Sequence, residues 1–359
     1  MMKVIENYRH LLGKHCISTA LMNYANYNSI PMTEAMAFGL DCSLGFCYRK
    51  YDELSKIPAF YTGGRTYSWI TNFSDVLGVH HKRITSPDRD YGWSLVRDMI
   101  DHNIPALVEL DKSKLDYWKG TTREVPFHMV VVIGYDLDKV LLGDVDEERI
   151  NSNRLSNNLH ITSIEGFKDS RNTSFQWGKI ENAVHNISPP DIGMIDMKRF
   201  TKEAIKRNTS DFLYGEEGYK NLEFFAEELP YWNEVLPISF FDATRDKKVS
   251  PLRYQLLITG KMLDEIGTGG GNFRTLYSKF LFEASDIWKS SIIYESAELI
   301  LESSKEWSEI GRRLCKISRM RECDIRQELI EVQKSVRKCI EYENKAFNSL
   351  EKWGMSNGL

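Results

Sequence analysis

The stretch that decides the fold is HMVVVIGYDLDKVLLGD, residues 128–144. Its first half, 128–135, is an almost continuous run of β-branched and apolar residues, which is typical of a buried central strand. Residues 136–138 form a turn signal, and residues 139–144 follow as a second strand. The stretch therefore predicts an antiparallel hairpin inside a sheet.

Helices precede this hairpin. The segment from Cys16 to Tyr27 places its apolar residues on one helical face, and a second short helix is expected after Thr33, whose hydroxyl can cap it. A further strand is predicted at residues 106–110. Helices followed by an antiparallel sheet indicate an α+β fold rather than an alternating β–α–β fold.

The chain changes character near Pro189 and Pro190. After this point the apolar residues mostly recur every three or four positions, as in long amphipathic helices. We therefore predict two domains, an α+β domain over residues 1–190 and an all-α domain over residues 191–359. A helical bundle within the chain is expected for the second domain, a short coiled coil is the alternative, and a homodimer is left open.

Composition limits the function classes. The 359 residues carry 47 Lys and Arg against 51 Asp and Glu, so nothing favours nucleic acid as a partner. No apolar run reaches the ~20 residues that span a bilayer, and the N-terminus lacks the long apolar segment of a signal peptide. We therefore expect a cytoplasmic protein without membrane contact, whose cysteines are free thiols. Their spacing matches no zinc motif, and no metal site is expected.

Three residues combine into a candidate catalytic site. Cys16 starts an expected helix, where the helix dipole stabilises a thiolate. His128 begins the first strand of the hairpin and Asp144 ends the second, so antiparallel pairing brings them side by side. The carboxylate can then hold the imidazole, and the imidazole can activate the thiol. Each residue alone has a plainer explanation as a buried cysteine, a core histidine or a turn aspartate, but their order resembles that of papain-like folds.

Two groups of motifs are similar to one known family. The first group is HCISTAL at 15–21, TEAMAFGL at 33–40 and LGFCY at 44–48. The second is IGTGGGNFR at 266–274 with the apolar positions that follow it. They resemble the N-terminal domain of the butirosin biosynthesis H protein family, an offshoot of the papain-like superfamily, and the helical domain that often follows it.

The resemblance implies acyl transfer. In the butirosin system, the H protein moves an acyl group from a carrier-protein thioester to an amine of an aminoglycoside. Carried over to this chain, Cys16 would accept the acyl group, His128 would be the base and Asp144 would orient it. The papain-like superfamily commonly has an oxyanion-binding glutamine six residues before the cysteine. This sequence has His10 there, so the Cys16 backbone N–H, His10 or His15 would have to bind the oxyanion.

Further candidate residues for substrate binding lie in a glycine-rich loop. Gly269, Gly270 and Gly271, together with Asn272 and Arg274, could form a backbone nest for an anion. The phosphate of a carrier's phosphopantetheine is a candidate for that anion. A tight turn between two helices is the alternative explanation of the glycines.

Other candidates are weaker. Phe38 and Gly39 either line a substrate or pack in the core, and Arg65 could meet a carboxylate or phosphate unless it belongs to a surface turn. His80 and His81 are rejected as a metal pair, because neighbouring residues on a strand point to opposite faces.

The leading hypothesis is a cysteine-dependent acyltransferase of antibiotic or other specialised metabolism. Its donor would be an acyl carrier protein or another acyl thioester, its acceptor a small amine, and it would need no cofactor beyond the phosphopantetheine of the donor. A cysteine peptidase or amide hydrolase of the same fold is the alternative, and a non-catalytic binding protein is the second alternative. An amide product would separate the transferase from the hydrolase.

Overall fold

The computed structural model describes residues 2–51, 59–66, 70–118, 127–147, 150, 154–175, 178–236, 240–242, 247–320 and 322–356. The chain forms two compact units. Unit 1 comprises Met1–Ala37 and Trp69–Ile195, and unit 2 comprises Phe38–Ser68 and Asp196–Leu359.

The elements are numbered in chain order. The strands are β1 (Lys3–Val4), β2 (Leu44–Lys50), β3 (Phe60–Arg65), β4 (His81–Ile84), β5 (Ala106–Leu110), β6 (His128–Tyr135), β7 (Lys139–Gly143), β8 (Leu159–Ser163), β9 (Asn172–Phe175), β10 (Gly178–Glu181), β11 (Val184–Ile187), β12 (Phe240–Asp242) and β13 (Lys247–Val249). The α-helices are α1 (Cys16–Tyr27), α2 (Glu34–Leu40), α3 (Thr71–Leu77), α4 (Arg89–Asp101), α5 (Ile164–Ser170), α6 (Met197–Tyr214), α7 (Tyr219–Glu228), α8 (Trp232–Val235), α9 (Pro251–Asp264), α10 (Arg274–Trp288), α11 (Ser291–Ile317) and α12 (Glu322–Ser356).

Unit 1 is built on an antiparallel sheet with the strand order β4-β11-β5-β6-β7-β8, and β1 also pairs with β6. The hairpin β6–β7 lies inside this sheet, and Val131 is opposite Gly143. Every residue of β6 except Tyr135 is buried, which explains its apolar sequence. Helices α1 and α4 pack against β6. The predicted hairpin, the strand at 106–110 and the helix Cys16–Tyr27 are confirmed.

Unit 2 combines the hairpin β2–β3 with helices α6–α12, of which α11 packs against α9, α10 and α12. A buried ion pair lies at its centre. Arg274 donates from Nε and Nη2 to the Glu343 carboxylate at 2.8 and 2.7 Å, and both side chains are 0% exposed. Ser303 Oγ and Trp307 Nε1 also donate to Glu343. This carboxylate is therefore fully supplied with donors from the helices around it.

The segment 38–68 amends the predicted domain boundaries. The predicted boundary at residue 190 lies close to the change of unit at Ile195, but residues 38–68 fold with the later helices. Asn208 Nδ2 donates to the Leu44 carbonyl at 2.6 Å. Gln255 accepts from the backbone N–H of Phe60 and donates to its carbonyl, both at 2.9 Å. Helical side chains far along the sequence thus satisfy the backbone of this hairpin, which local patterns do not reveal.

The predicted class, an α+β part followed by a helical part, is confirmed. The helix predicted after Thr33 is also present, and the Thr33 hydroxyl accepts the backbone N–H of Met36 at 3.0 Å. In the described ranges, no helix combines the length and the apolar character that a membrane span requires.

Candidate active site

Cys16 occupies the first position of α1, and several bonds fix the loop before it. The His15 side chain caps the helix by accepting the backbone N–H of Ser18. The Glu34 carboxylate accepts the backbone N–H groups of Lys14 and His15 at 2.8 and 2.7 Å. The Cys16 thiol therefore lies at the positive end of the helix dipole, where a thiolate is favoured.

The same loop is bonded to the chain that follows β7. The Gly13 carbonyl accepts the backbone N–H of Asp146 at 2.7 Å. Lys14 Nζ donates to Asp146 Oδ2 at 2.6 Å, and Arg154 donates to Asp146 Oδ1 at 3.0 Å. These bonds hold the start of α1 and the end of β7 together within unit 1.

His128 and Asp144 meet where the hairpin β6–β7 opens. The strand register brings residue 128, at the start of β6, and residue 144, just after β7, to the same edge of the sheet. His128 Nε2 is 2.5 Å from Asp144 Oδ1, and His128 also hydrogen-bonds with the Cys16 side chain. His128 is 6% exposed and Asp144 is 2% exposed, whereas Cys16 is half-buried. The imidazole therefore links a partly accessible thiol to a buried carboxylate.

Two further donors satisfy the Asp144 carboxylate. The Tyr117 hydroxyl donates to Oδ2 at 2.8 Å, and the backbone N–H of Val145 donates to Oδ1 at 2.7 Å. Oδ1 therefore accepts from Val145 as well as from His128, and Oδ2 accepts from Tyr117. Both oxygens thus have the hydrogen-bond donors that a buried charge requires.

The electrostatics of the pair follow from this burial. Burial lowers the pKa of the His128 imidazole, but the Asp144 charge and the hydrogen bonds to Asp144 and Cys16 outweigh it and raise that pKa from 6.5 to about 9. Burial raises the pKa of the Asp144 carboxyl, but the charge and hydrogen bond of His128, with a smaller effect of Lys112, bring it well below its usual range. At neutral pH the site thus holds an aspartate next to an imidazolium.

Two family models match the chain. Residues 15–145 match the N-terminal domain of butirosin biosynthesis protein H, and residues 176–350 match a domain of unknown function, DUF4872. The first match begins one residue before Cys16 and ends one residue after Asp144, so it contains Cys16, His128 and Asp144. Residues 15–145 therefore belong to the family of butirosin biosynthesis protein H N-terminal domains. The name of the family indicates an enzyme of biosynthesis. A search of the curated proteins finds no match.

His10, which precedes the matched residues, supports Asp144. Its Nε2 donates to the backbone carbonyl of Asp144 at 2.8 Å, and its Nδ1 is 3.2 Å from the Tyr8 hydroxyl, from which it can accept. Burial lowers the pKa of His10, which favours this neutral form. Because the single N–H of neutral His10 is used on the Asp144 carbonyl, the arrangement does not favour His10 as the oxyanion donor. His15 serves as the cap of α1, and an oxyanion role for it stays a prediction.

The other expected substrate-binding residues lie together in unit 2, where they pack. The Phe38 ring stacks on Phe273 at 5.7 Å, and a Cβ on Gly39 would lie 2.0 Å from the Phe280 ring. Both residues therefore belong to the core, as one of the two expectations had it. Arg65 ends β3, and its Nη1 donates to the carbonyl of Thr66 at 3.2 Å.

The glycine-rich loop is a left-handed turn in which two glycine amides are already hydrogen-bonded. Five successive residues have φ between +53° and +91°, namely Gly269, Gly270, Gly271, Asn272 and Phe273. The N–H groups of Gly270 and Gly271 donate to Thr268 Oγ1 and Asp264 Oδ1, both at 3.0 Å. The turn therefore satisfies these amides itself, instead of leaving them for an anion.

Arg274 is likewise engaged inside unit 2. Besides its ion pair with Glu343, its Nη1 donates to the carbonyls of Gly45, Gly64 and Asn272 at 3.1, 3.2 and 2.9 Å. With a side chain that is 0% exposed, Arg274 joins the turn to the hairpin β2–β3. The anion-binding role expected for this residue and its loop is not supported by this placement.

Unit 1 also contains a second histidine–carboxylate pair, which the sequence patterns did not reveal. His185 Nε2 donates to Glu109 Oε1 at 2.8 Å, and Arg83 donates to both Glu109 oxygens at 2.6 and 2.7 Å. The second ring nitrogen of His185 is 3.0 Å from His81 Nε2. His81 therefore contacts His185. Among the residues that the structure describes, no three His, Cys, Asp or Glu side chains are arranged to hold a metal ion.

Proposed function

We propose that this chain is a cysteine-dependent acyltransferase that forms an amide through an acyl-Cys16 intermediate. The observation that supports the proposal most directly is the position of His128, which hydrogen-bonds with both Cys16 and Asp144. A thiol, an imidazole and a carboxylate joined in this order are the groups that cysteine-dependent acyl transfer needs.

The first half-reaction uses the imidazolium form of His128. The Cys16 thiolate attacks the carbonyl carbon of an acyl thioester, and a new carbon–sulfur bond forms. The carbon–sulfur bond to the donor then breaks, and His128 gives its proton to the departing thiolate. The products are the acyl-Cys16 thioester, a free donor thiol and a neutral His128.

The second half-reaction needs that neutral imidazole. An amine attacks the acyl carbon, His128 takes a proton from the amine nitrogen, and the Cys16 sulfur leaves as a thiolate. The amide is released, and the thiolate and imidazolium are restored. Asp144 holds His128 in place through both steps, and its charge stabilises the imidazolium at the beginning and the end.

The choice of a thioester donor and an amine acceptor rests on the family. The family is named after a protein of butirosin biosynthesis, and the resemblance of the motifs implies transfer from a carrier-bound thioester to an amine. The acyl carrier protein and the small amine are therefore part of the proposal.

The test is to incubate the protein with an acyl N-acetylcysteamine thioester, with and without a primary amine. We expect the intact mass to rise by one acyl group without amine, and an amide to appear with it. Cys16→Ser should abolish both results. Cys315→Ser is the matched control, because Cys315 is the other half-buried thiol among the described cysteines.

The outcomes separate the candidate functions. A free acid that forms at the same rate with and without amine would identify a hydrolase. Failure of the thioester to acylate Cys16 would favour a binding protein and contradict the proposal. Limited iodoacetamide treatment at neutral pH should label Cys16 first, because burial raises the pKa of Cys42, Cys47, Cys315 and Cys339.

A further inference from the structure

The two oxygens of the Asp144 carboxylate have different partners. Oδ1 accepts from His128 and from the backbone of Val145. Oδ2 accepts from the Tyr117 hydroxyl. A carboxylate that lost the bond at Oδ2 would keep one buried oxygen without that donor, and more of its charge would act on His128. The bond from Tyr117 therefore bears on how strongly Asp144 acts on His128.

Tyr117 is itself held from several sides. It lies in the short 3-10 helix Asp116–Trp118, and the backbone N–H of Asp116 donates to Thr162 Oγ1 at 3.1 Å. The backbone N–H of Ser163 donates to the Asp116 carboxylate at 2.6 Å. The Tyr117 ring stacks on His160 with centroids 4.4 Å apart. These contacts with β8 hold Tyr117 in place, with its hydroxyl at the Asp144 carboxylate.

The chemical character of this donor matters as much as its position. Burial, followed by the charge of Asp144 and its hydrogen bond, raises the pKa of Tyr117 well above 10, so the phenol is neutral at physiological pH. A neutral donor fixes the carboxylate and leaves its negative charge in place. At the other pair in unit 1, Arg83 forms two bonds to Glu109 and brings a positive charge that offsets that of the carboxylate.

We propose that Tyr117 is a positioning residue, which holds the Asp144 carboxylate through a neutral hydrogen bond and thereby limits how strongly its charge acts on His128. Its effect on catalysis rests on the proposed function, but its effect on His128 does not depend on any substrate. Lys112 also acts on both members of the pair. Lys112 is bonded to Glu147 at 3.0 Å and is left unchanged in the test.

The test compares Tyr117→Phe with Tyr24→Phe. Tyr24 is a matched control, because its hydroxyl donates to the Ser188 carbonyl at 2.7 Å in the same unit and does not contact Asp144. The readout is the His128 pKa, from an NMR titration of the histidine rings without acyl donor, with the signal assigned by its loss in His128→Gln. In Tyr117→Phe the Asp144 charge is less satisfied by other donors and acts more strongly on His128. We therefore expect the His128 pKa to rise by about 0.5 to 1 and to stay unchanged in Tyr24→Phe.

A second measurement covers the case in which Tyr117→Phe does not fold. Replacing Tyr117 alone with 3-fluorotyrosine makes the phenol a stronger donor, so the His128 pKa should fall. An unchanged His128 pKa in the folded variant, or an unchanged value with the fluorinated ring, would overturn the proposal.

Acyl transfer is measured separately on the same proteins. We expect it to fall about tenfold in Tyr117→Phe, a part of the 10²–10⁴ that general acid–base catalysis contributes. If the wild-type protein transfers no acyl group but the pKa shifts as expected, the proposed function fails and the role of Tyr117 stands. If transfer occurs and the pKa does not move, the reverse holds.

Discussion

Among the residues that the structure describes, unit 1 contains two buried histidine–carboxylate pairs, and they differ in what surrounds them. At His128–Asp144, the carboxylate is otherwise bound by neutral donors and the imidazole also contacts Cys16. At His185–Glu109, an arginine binds the carboxylate through both oxygens and the imidazole contacts a second histidine. No arginine among the described residues offsets the charge of Asp144 in the first pair. This charge can therefore hold a proton on His128, next to the Cys16 thiol.

The difference shows that the partners around a histidine–carboxylate bond decide its electrostatics. Asp144 raises the pKa of His128 to about 9. Burial raises the pKa of Glu109, but the hydrogen bonds of Arg83 and His185 lower it to about 2. The positive charge of Arg83 therefore offsets most of the negative charge of Glu109. Each pair has a further partner on its carboxylate and another on its imidazole. These further partners, and not the histidine–carboxylate bond itself, distinguish the candidate site.

The largest expected difference is in activity. His128→Gln should lower acyl transfer by about a thousandfold, because the base and proton donor is lost. His185→Gln should leave the rate almost unchanged and should instead lower the free energy of unfolding by about 1–3 kcal/mol, because the buried Glu109 loses a donor. Transfer rates and urea midpoints on both variants test this, and equal loss of transfer in the two would contradict the distinction.

The next expected difference is in how stability depends on pH. The folded pKa of His128, about 9, lies above the unfolded value of 6.5. The stabilisation by this pair is thus fully present below pH 6.5 and is lost as the pH rises through 9. The full change is about 3 kcal/mol.

Asp144→Asn tests the source of that pH dependence, because it removes the charge that holds the proton on His128. Unfolding by urea between pH 6.5 and 9 should show a much flatter profile in this variant than in the wild type. Glu109→Gln is the control and should keep the wild-type slope. An equal slope in Asp144→Asn would show that the alkaline loss comes from other groups.

Local sequence patterns predicted the parts of the fold that local interactions determine. The helix Cys16–Tyr27 and the hairpin at 128–143 follow from periodicity and from a turn whose Asp136 carboxylate accepts the backbone N–H groups of residues 138 and 139. The strands β8 to β11 and the placement of residues 38–68 were not predicted. Strand β11 and the placement of residues 38–68 depend on partners far along the chain, such as β4 for β11 and Asn208 for Leu44, which is 164 residues away.

The residues of the candidate site likewise divide into those that local sequence patterns predicted and those that they did not. The register of one hairpin brings His128 and Asp144 together, so their spacing was enough to propose the pair, although their catalytic roles stay predictions. Tyr117 is 27 residues from Asp144 and lies in a short 3-10 helix, so no periodic signal indicated it. For Arg274, glycines that allow positive φ in a tight turn are indistinguishable in sequence from glycines of an anion site.

The smallest expected effect concerns His81, which contacts His185 of the second pair. Burial lowers the pKa of His81, and the nearby His185, His80 and Arg83 lower it further against a small opposing effect of Asp75, to about 4. His81 takes up a proton near pH 6.5 in the unfolded chain but only near pH 4 in the folded chain. Stability is therefore lost as the pH falls through this range, by less than about 1 kcal/mol because the side chain is half-exposed and solvent screens it.

His81→Asn should remove this acid-side loss, and His102→Asn, which changes an exposed histidine elsewhere in unit 1, should leave it in place. Urea unfolding at pH 4, 5 and 6.5 measures the difference. The two pairs then act on opposite sides of pH 6.5: His128 loses its contribution on the alkaline side and His81 on the acid side. If His81→Asn kept the acid-side slope of the wild type, the loss would belong to carboxylates, and the two pairs would not be separable by pH.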